Sequence, residues 1–170
     1  MHSLLVSTAL GEFTVSLHSL NAPETCDYFV SLAERGELDT GGIFRVVADD
    51  KGDQQIEQPI HVVQLGTGKG FDEPRSHIKH ESTDLSGLSH HQWTVSAARF
   101  APGELYASFF VCMDNEPELD FGGSRQPDGL GFAAFGKISA GFSTLRKLYA
   151  KAGPGELLDR PIDVSTVEAR

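Results

Sequence analysis

Arg45 lies in the middle of an apolar run, Ile43-Phe44-Arg45-Val46-Val47. The run is β-branched and aromatic, so it predicts a strand with at least one buried face. Side chains alternate along a strand, which puts Arg45 on the face of Ile43 and Val47. A guanidinium carries five N–H donors and keeps its charge at every ordinary pH, so its presence on an apolar face needs a reason. Two reasons are open. The stem can pack while the head reaches water. Alternatively, Arg45 supplies fixed, positive hydrogen-bond donors beside an apolar pocket. Two more polar residues repeat the pattern: Gln64 shares a face with Ile60 and Val62, and Ser108 with Phe110 and Cys112. If the three strands line one concavity, it is apolar through Val62 and Phe110, with Arg45 and Gln64 as its polar points. Such a mix suits a small apolar ligand bearing one strong acceptor.

Other residues could do different chemistry. His77, His80 and Glu81, with His90-His91 downstream, could suggest a metal site. Zinc hydrolases need three ligands and a supporting second layer, and this segment reads as a solvated loop, so no metal is expected. Glu81 reads as a structural hydrogen-bonding partner. Gly66-Thr67-Gly68-Lys69-Gly70 lacks the glycine spacing and the hydroxyl residue after lysine that a phosphate loop needs, and reads as a turn. Cys112 lies in an apolar strand, where a thiol is an inert core group. Trp93, on the face of Val95 and Ala97, reads as core.

These residues must be positioned by a β-rich chain. Strands are expected at Leu4–Val6, Phe13–Leu17, Ile43–Val47, Ile60–Gln64, Trp93–Ala98, Phe109–Met113 and Ala133–Ile138, with a last one opening at Ile162 and its edge blunted by Glu168 and Arg170. Ala48–Pro59 reads as a long hairpin loop. Asn21 and Glu24 form a capping-box pattern around Pro23, followed by Cys26, Phe29, Val30 and Ala33 at helical spacing and a stop at Gly36. A second helix starts near Ser139 to Phe142 and places Phe142, Leu145 and Tyr149 on one face with Leu148 beside them. Many short strands with two helices imply a closed antiparallel barrel, the helices covering its ends, or else a sandwich.

The bulk numbers agree with one soluble domain over residues 1–170. Apolar residues make up 39% and charged residues 22%, and the net charge of −10 carries no basic block. That argues against nucleic acid and against an electrostatic membrane anchor. No stretch approaches a membrane span or a signal peptide, and two cysteines are too few for a disulfide framework. A cytoplasmic location is expected.

Several segments in order resemble the cyclophilin family of peptidyl-prolyl cis-trans isomerases. They are Phe44-Arg45-Val46-Val47, Val62-Val63-Gln64 with Gly66, Ser96-Ala97-Ala98-Arg99, Ser108-Phe109-Phe110-Val111-Cys112, Leu119-Asp120 and Phe135-Gly136-Lys137-Ile138. They span nearly the whole chain, and the stretch from Leu119 to Gly136 is most similar to divergent bacterial members. The resemblance implies a closed eight-stranded antiparallel barrel capped by two α-helices. It also implies isomerisation of Xaa-Pro bonds in protein folding without a cofactor, on proline-containing peptides or unfolded segments. Arg45 matches the catalytic arginine and Gln64 the substrate-orienting glutamine. Phe110 matches the floor of the proline pocket, Leu119 a wall, and Ala98 a small residue that touches the substrate backbone.

The chain departs from the family pattern at other positions of the site. His61 and Val62 replace a Phe-Met pair. Arg99 and Phe100 replace an Asn-Ala pair that binds substrate backbone, and Ser108 replaces a glutamine. Phe132 takes the place of a rim histidine, and Glu118 that of a tryptophan associated with cyclosporin. Together these imply weak cyclosporin binding. They also leave a second reading, a module that holds proline-containing segments with little or no turnover.

Overall fold

A computed structural model describes residues 2–48, 59–67 and 73–170. Its strands are β1 (Ser3–Thr8), β2 (Gly11–Leu17), β3 (Gly42–Val47), β4 (Val62–Gly66), β5 (Ser76–His77), β6 (Thr94–Arg99), β7 (Glu104–Cys112), β8 (Ala134–Ala140) and β9 (Leu157–Ala169). The helices are α1 (Pro23–Glu34), the single turn α2 (Thr83–Ser86) and α3 (Phe142–Tyr149), with a 3-10 turn at Pro117–Leu119. Every pairing is antiparallel. The order β4-β3-β9-β1-β2-β8-β6-β7 closes through a β7–β4 pairing into an eight-stranded barrel, and the short β5 adds to β7. The barrel, not the sandwich, is the architecture.

Alternation builds the core. Leu4 and Val6 of β1, and Phe13, Val15 and Leu17 of β2, turn inward and are buried. α1 lays Phe29 into the same core, stacked on Phe135 at 4.6 Å and edge-on to Phe109 at 5.5 Å. α3 buries Leu145 and Leu148. Trp93 sits only partly buried at the margin, edge-on to Phe142 and beneath the Arg146 guanidinium. Among the described residues, no helix is long and apolar enough to cross a membrane.

Two local expectations are corrected. The Asn21/Glu24 capping box does not form: Ala22 is the N-cap residue, Asn21 donates to the Ser86 carbonyl, and Glu24 accepts from the Lys79 N–H. Glu81 caps the helix from outside. Its carboxylate accepts the Glu24 and Thr25 backbone N–H groups at 3.1 and 2.9 Å and the Thr25 hydroxyl at 2.7 Å. A carboxylate at a helix N-terminus also meets the positive end of the dipole. The last strand is longer than expected and is no edge, because β9 lies between β1 and β3. The expected loop Ala48–Pro59 falls on residues 49–58, and part of the glycine-rich turn on 68–70; both stretches lie outside the described residues.

Candidate functional site

The placement of Arg45 depends on a bulge. Ile43 pairs with Leu65, yet Arg45 pairs with Gln64, so Phe44 has no partner in the ladder. Were the pairing to continue regularly from Ile43, Arg45 would stand opposite Val63, whose side chain is in the barrel core. A one-residue shift turns a side chain to the other face, and a bulge is the local device that does this. Ile43 therefore points into the core, and Arg45 points out with Val47. The expectation that Arg45 and Ile43 share a face is corrected by this bulge.

The register then aligns one row across four strands. Arg45 opposes Gln64, Gln64 opposes Phe110, and Phe110 opposes Ser96. Residues directly opposite on one face are within side-chain reach. Arg45 Nη1 donates to Gln64 Oε1 at 3.1 Å, and Gln64 Nε2 donates to the buried Ser108 hydroxyl at 3.3 Å. Around this row lies a second buried apolar cluster, separate from the core, that includes Val62, Ala98, Phe110, Leu119 and Phe132.

The row and cluster enclose a cavity of about 450 Å³. Eight residues expected at the site line it together: Arg45, Val62, Gln64, Ala98, Arg99, Phe110, Leu119 and Phe132. Ser108 lies behind Gln64 and does not reach the cavity wall. His61 is a correction, because it does not line the cavity either. Its Nδ1 sits 2.7 Å from Glu116 Oε1, and its backbone N–H donates to the same oxygen. Burial raises the Glu116 carboxyl above the usual carboxylate range, and its bonds to His61 oppose that rise.

Arg99 lines the cavity, but its guanidinium is committed elsewhere. The side chain is 1% exposed and makes a two-pronged pair with Asp128 at 2.9 and 2.8 Å. Nε donates to the Gly131 carbonyl at 2.8 Å, and the head lies 5.3 Å from the Phe132 ring centroid. Arg99 thus pins residues 128–132 onto β6, and Phe132 meets Phe110 edge-on at 5.6 Å. The Arg99 guanidinium holds Asp128 below its usual carboxylate range.

Five lining residues carry no signal in the sequence: Tyr106, Arg125, Gln126, Glu156 and Leu157. Glu156 matters most. Arg45 Nε and Nη2 both donate to Glu156 Oε2, at 3.0 and 2.7 Å. β9 brings it there: β3 pairs with it at Ile43–Ile162 and next at Arg45–Leu157, so residues 158–161 bow out. The Val46 N–H then bonds the Glu156 carbonyl at 2.9 Å. Arg45 is 15% exposed. Among the described residues, Glu156 and Gln64 take three of its five N–H groups, leaving one on each terminal nitrogen.

Beneath the floor, His90 bridges Asp120 through Nδ1 at 2.7 Å and Ser96 through Nε2 at 2.8 Å. The arrangement resembles a Ser-His-Asp relay, but Ser96 is fully buried and does not line the cavity. The His90 ring lies 6.4 Å from Phe110, near parallel, so the relay braces the floor. The other candidate ligands are spent separately. His80 Nε2 pairs with the Leu130 carbonyl, Glu81 caps α1, and the exposed His77 lies 3.8 Å from Glu104. Among the described residues no three such groups converge. Burial pushes the Cys112 thiol well above its ordinary range and Cys26 up to about 12, which leaves both thiols protonated.

The sequence matches the family described as "Cyclophilin type peptidyl-prolyl cis-trans isomerase/CLD" over residues 3–168. It is 28% identical to peptidyl-prolyl cis-trans isomerase-like 1 of Aspergillus oryzae, over 96% of this chain and 91% of that protein. It is 26% identical to peptidyl-prolyl cis-trans isomerase cyp18 of Streptomyces antibioticus, over 83% and 79%. The fold matches a Cryptosporidium parvum cyclophilin-type isomerase with a TM-score of 0.78 and 19% identity, over 99% and 97% of the two chains. It also matches a structure of that protein in the presence of the dipeptide Ala-Pro, with a TM-score of 0.76 and 19% identity, over 97% and 96%.

Proposed function

This chain belongs to the cyclophilin-type peptidyl-prolyl cis-trans isomerase family, and from that membership we propose that Arg45 accelerates rotation of Xaa-Pro bonds held in the cavity. The observation that carries the proposal is the row Arg45–Gln64–Phe110 beside the apolar walls Val62, Leu119 and Phe132.

Rotation about a peptide bond faces a barrier of about 18–20 kcal/mol, because the nitrogen lone pair is delocalised into the carbonyl. Even at proline the uncatalysed step takes tens to hundreds of seconds. In the twisted transition state the delocalisation is lost, and the nitrogen becomes pyramidal and able to accept a hydrogen bond. A donor that meets the twisted amide better than the planar one lowers the barrier, since only differential binding accelerates a step. Here the apolar walls grip the proline ring. The remaining Gln64 amide N–H holds a substrate carbonyl, so one side of the bond turns against a fixed side. Arg45 presents its two unspent N–H groups to the nitrogen as it becomes basic. Glu156 and Gln64 lock the guanidinium plane beforehand, so little ordering remains to be done in the transition state. The step needs no nucleophile, metal or proton transfer.

The substrate is an extended proline-containing segment, and the cellular role is assistance of slow prolyl steps in the folding of other proteins in the cytoplasm. The Ala-Pro dipeptide present with the Cryptosporidium parvum protein supports the ligand class. Cyclosporin binds weakly, because Glu118 replaces the tryptophan expected for that ligand.

One observation favours the second reading, a module that binds without turnover: Glu156 already occupies two donors of Arg45. Proton exchange spectroscopy on an Ala-Pro-containing peptide separates the two. The catalytic reading expects saturable shifts together with exchange between cis and trans resonances. Saturable binding with no added exchange would overturn it in favour of the module.

A further inference from the structure

Arg125 is the cavity-lining cation that the mechanism above leaves unused. Its backbone N–H donates to the Glu118 carbonyl at 3.1 Å, which anchors it just after the 3-10 turn. Its side chain joins Arg45 and Glu156 in the cavity wall. The Nη1 atom is sealed from solvent and has no hydrogen-bond partner among the described residues. The neighbouring charges are already matched, Arg45 by Glu156 and Arg99 by Asp128. Burial and repulsion from Arg45 weaken the hold of Arg125 on its proton, while Glu156 and Glu116 pull the other way.

A guanidinium cannot shed its charge to escape burial, and an unpaired buried charge is costly. The relief that fits this geometry is an anion that arrives with the ligand and pairs with the guanidinium from its cavity side, since such charge-assisted bonds are the strong ones. The surplus is local. Among the described residues, with Arg99 matched by Asp128, Arg45, Glu156 and Arg125 leave one positive charge in the cavity of a chain whose net charge is −10.

We infer that Arg125 is a specificity residue, selecting segments that carry an aspartate or glutamate at one position flanking the proline. The inference rests on the reading that the cavity takes an Xaa-Pro segment.

The test uses pentapeptides centred on proline, with glutamate, glutamine or lysine placed in turn at every other position, and exchange spectroscopy to give kcat/KM. In the native protein the Glu-to-Gln ratio is expected to reach about five- to fiftyfold at one position and to stay near one elsewhere. In Arg125→Gln that ratio falls to about one, and in Arg125→Glu the preferred residue there becomes lysine. A general loss of activity in either variant cancels in the ratio. A flat ratio at every position in the native protein, or a preference that survives Arg125→Gln, overturns the inference. Flat ratios with the neutral peptide still accelerated defeat this inference alone. No acceleration of any peptide by the native protein defeats the prolyl reading and this one with it.

Discussion

Arg99 and Asp128 offer the sharpest test of how the cavity wall is held. In Arg99→Met the Gly131 carbonyl loses a charged donor at 2.8 Å and Asp128 loses both of its prongs. A buried hydrogen bond to a charged group is worth about 1.5–3 kcal/mol. Asp128 is about a third exposed, so water screens its share, and the pair itself adds about 1 kcal/mol. The expected loss is about 2–4 kcal/mol, which for a chain of this size lowers Tm by roughly 5–15 °C. Asp128→Asn, which leaves Arg99 in place, is expected to cost about 1 kcal/mol. Because both changes release residues 128–132 and the Phe132 wall, each raises KM for a Xaa-Pro peptide, with kcat less affected. The assay is a double-mutant cycle read by thermal unfolding and by peptide kinetics, with a coupling of about 1 kcal/mol expected. The reasoning is refuted if the coupling vanishes, or if Arg99→Met abolishes binding while Asp128→Asn leaves KM untouched. The latter would mean that Arg99 holds substrate directly, as the family position suggests.

Three further outcomes follow from the same structure. Glu81→Ala strips two backbone N–H groups of α1 of their acceptor, so a loss of about 2–3 kcal/mol is expected by denaturant unfolding; no change would show that the helix is capped otherwise. Burial raises the Glu116 carboxyl, so the folded protein keeps that proton longer than the unfolded chain does. Stability contributed by this group therefore falls as pH rises from the ordinary carboxylate value of about 4.3 through the raised one. Glu116→Gln removes that slope, and an unchanged pH profile of the denaturation midpoint would contradict the assignment. Cys26 and Cys112, buried and held protonated, are expected to resist a disulfide reagent until the protein is unfolded; rapid labelling of either in the native state would contradict the packing.

Much of this was legible in the residues themselves. Clean alternation in Phe13–Leu17 and the helical spacing from Cys26 to Ala33 each follow from a single element's period, and the ordered segments around Arg45 point to the barrel. What stayed hidden depends on contacts across the chain. Phe44 looks like any strand residue, and only the pairing of β3 with β4 and β9 shows that it bulges and turns Arg45 outward. Glu156 lies 111 residues from Arg45 in a segment with no pattern of its own. Asn21 and Glu24 make a plausible local cap, but Glu81, from a distant loop, outcompetes them because its carboxylate reaches two helix N–H groups at once. Arg99 reads as a site residue by position; that its guanidinium is spent on Asp128 and Gly131 appears only when the loop folds back.

The central claim is that Arg45 lowers the rotation barrier and does not merely hold the peptide. The direct measurement is cis–trans exchange of a bound Xaa-Pro peptide at saturation, with native protein beside Arg45→Ala. Loss of one preorganised donor to a developing charge costs about a hundred- to a thousandfold in rate, so the account predicts peptide binding within roughly tenfold of native and exchange reduced by that factor. An exchange rate unchanged in Arg45→Ala would contradict it.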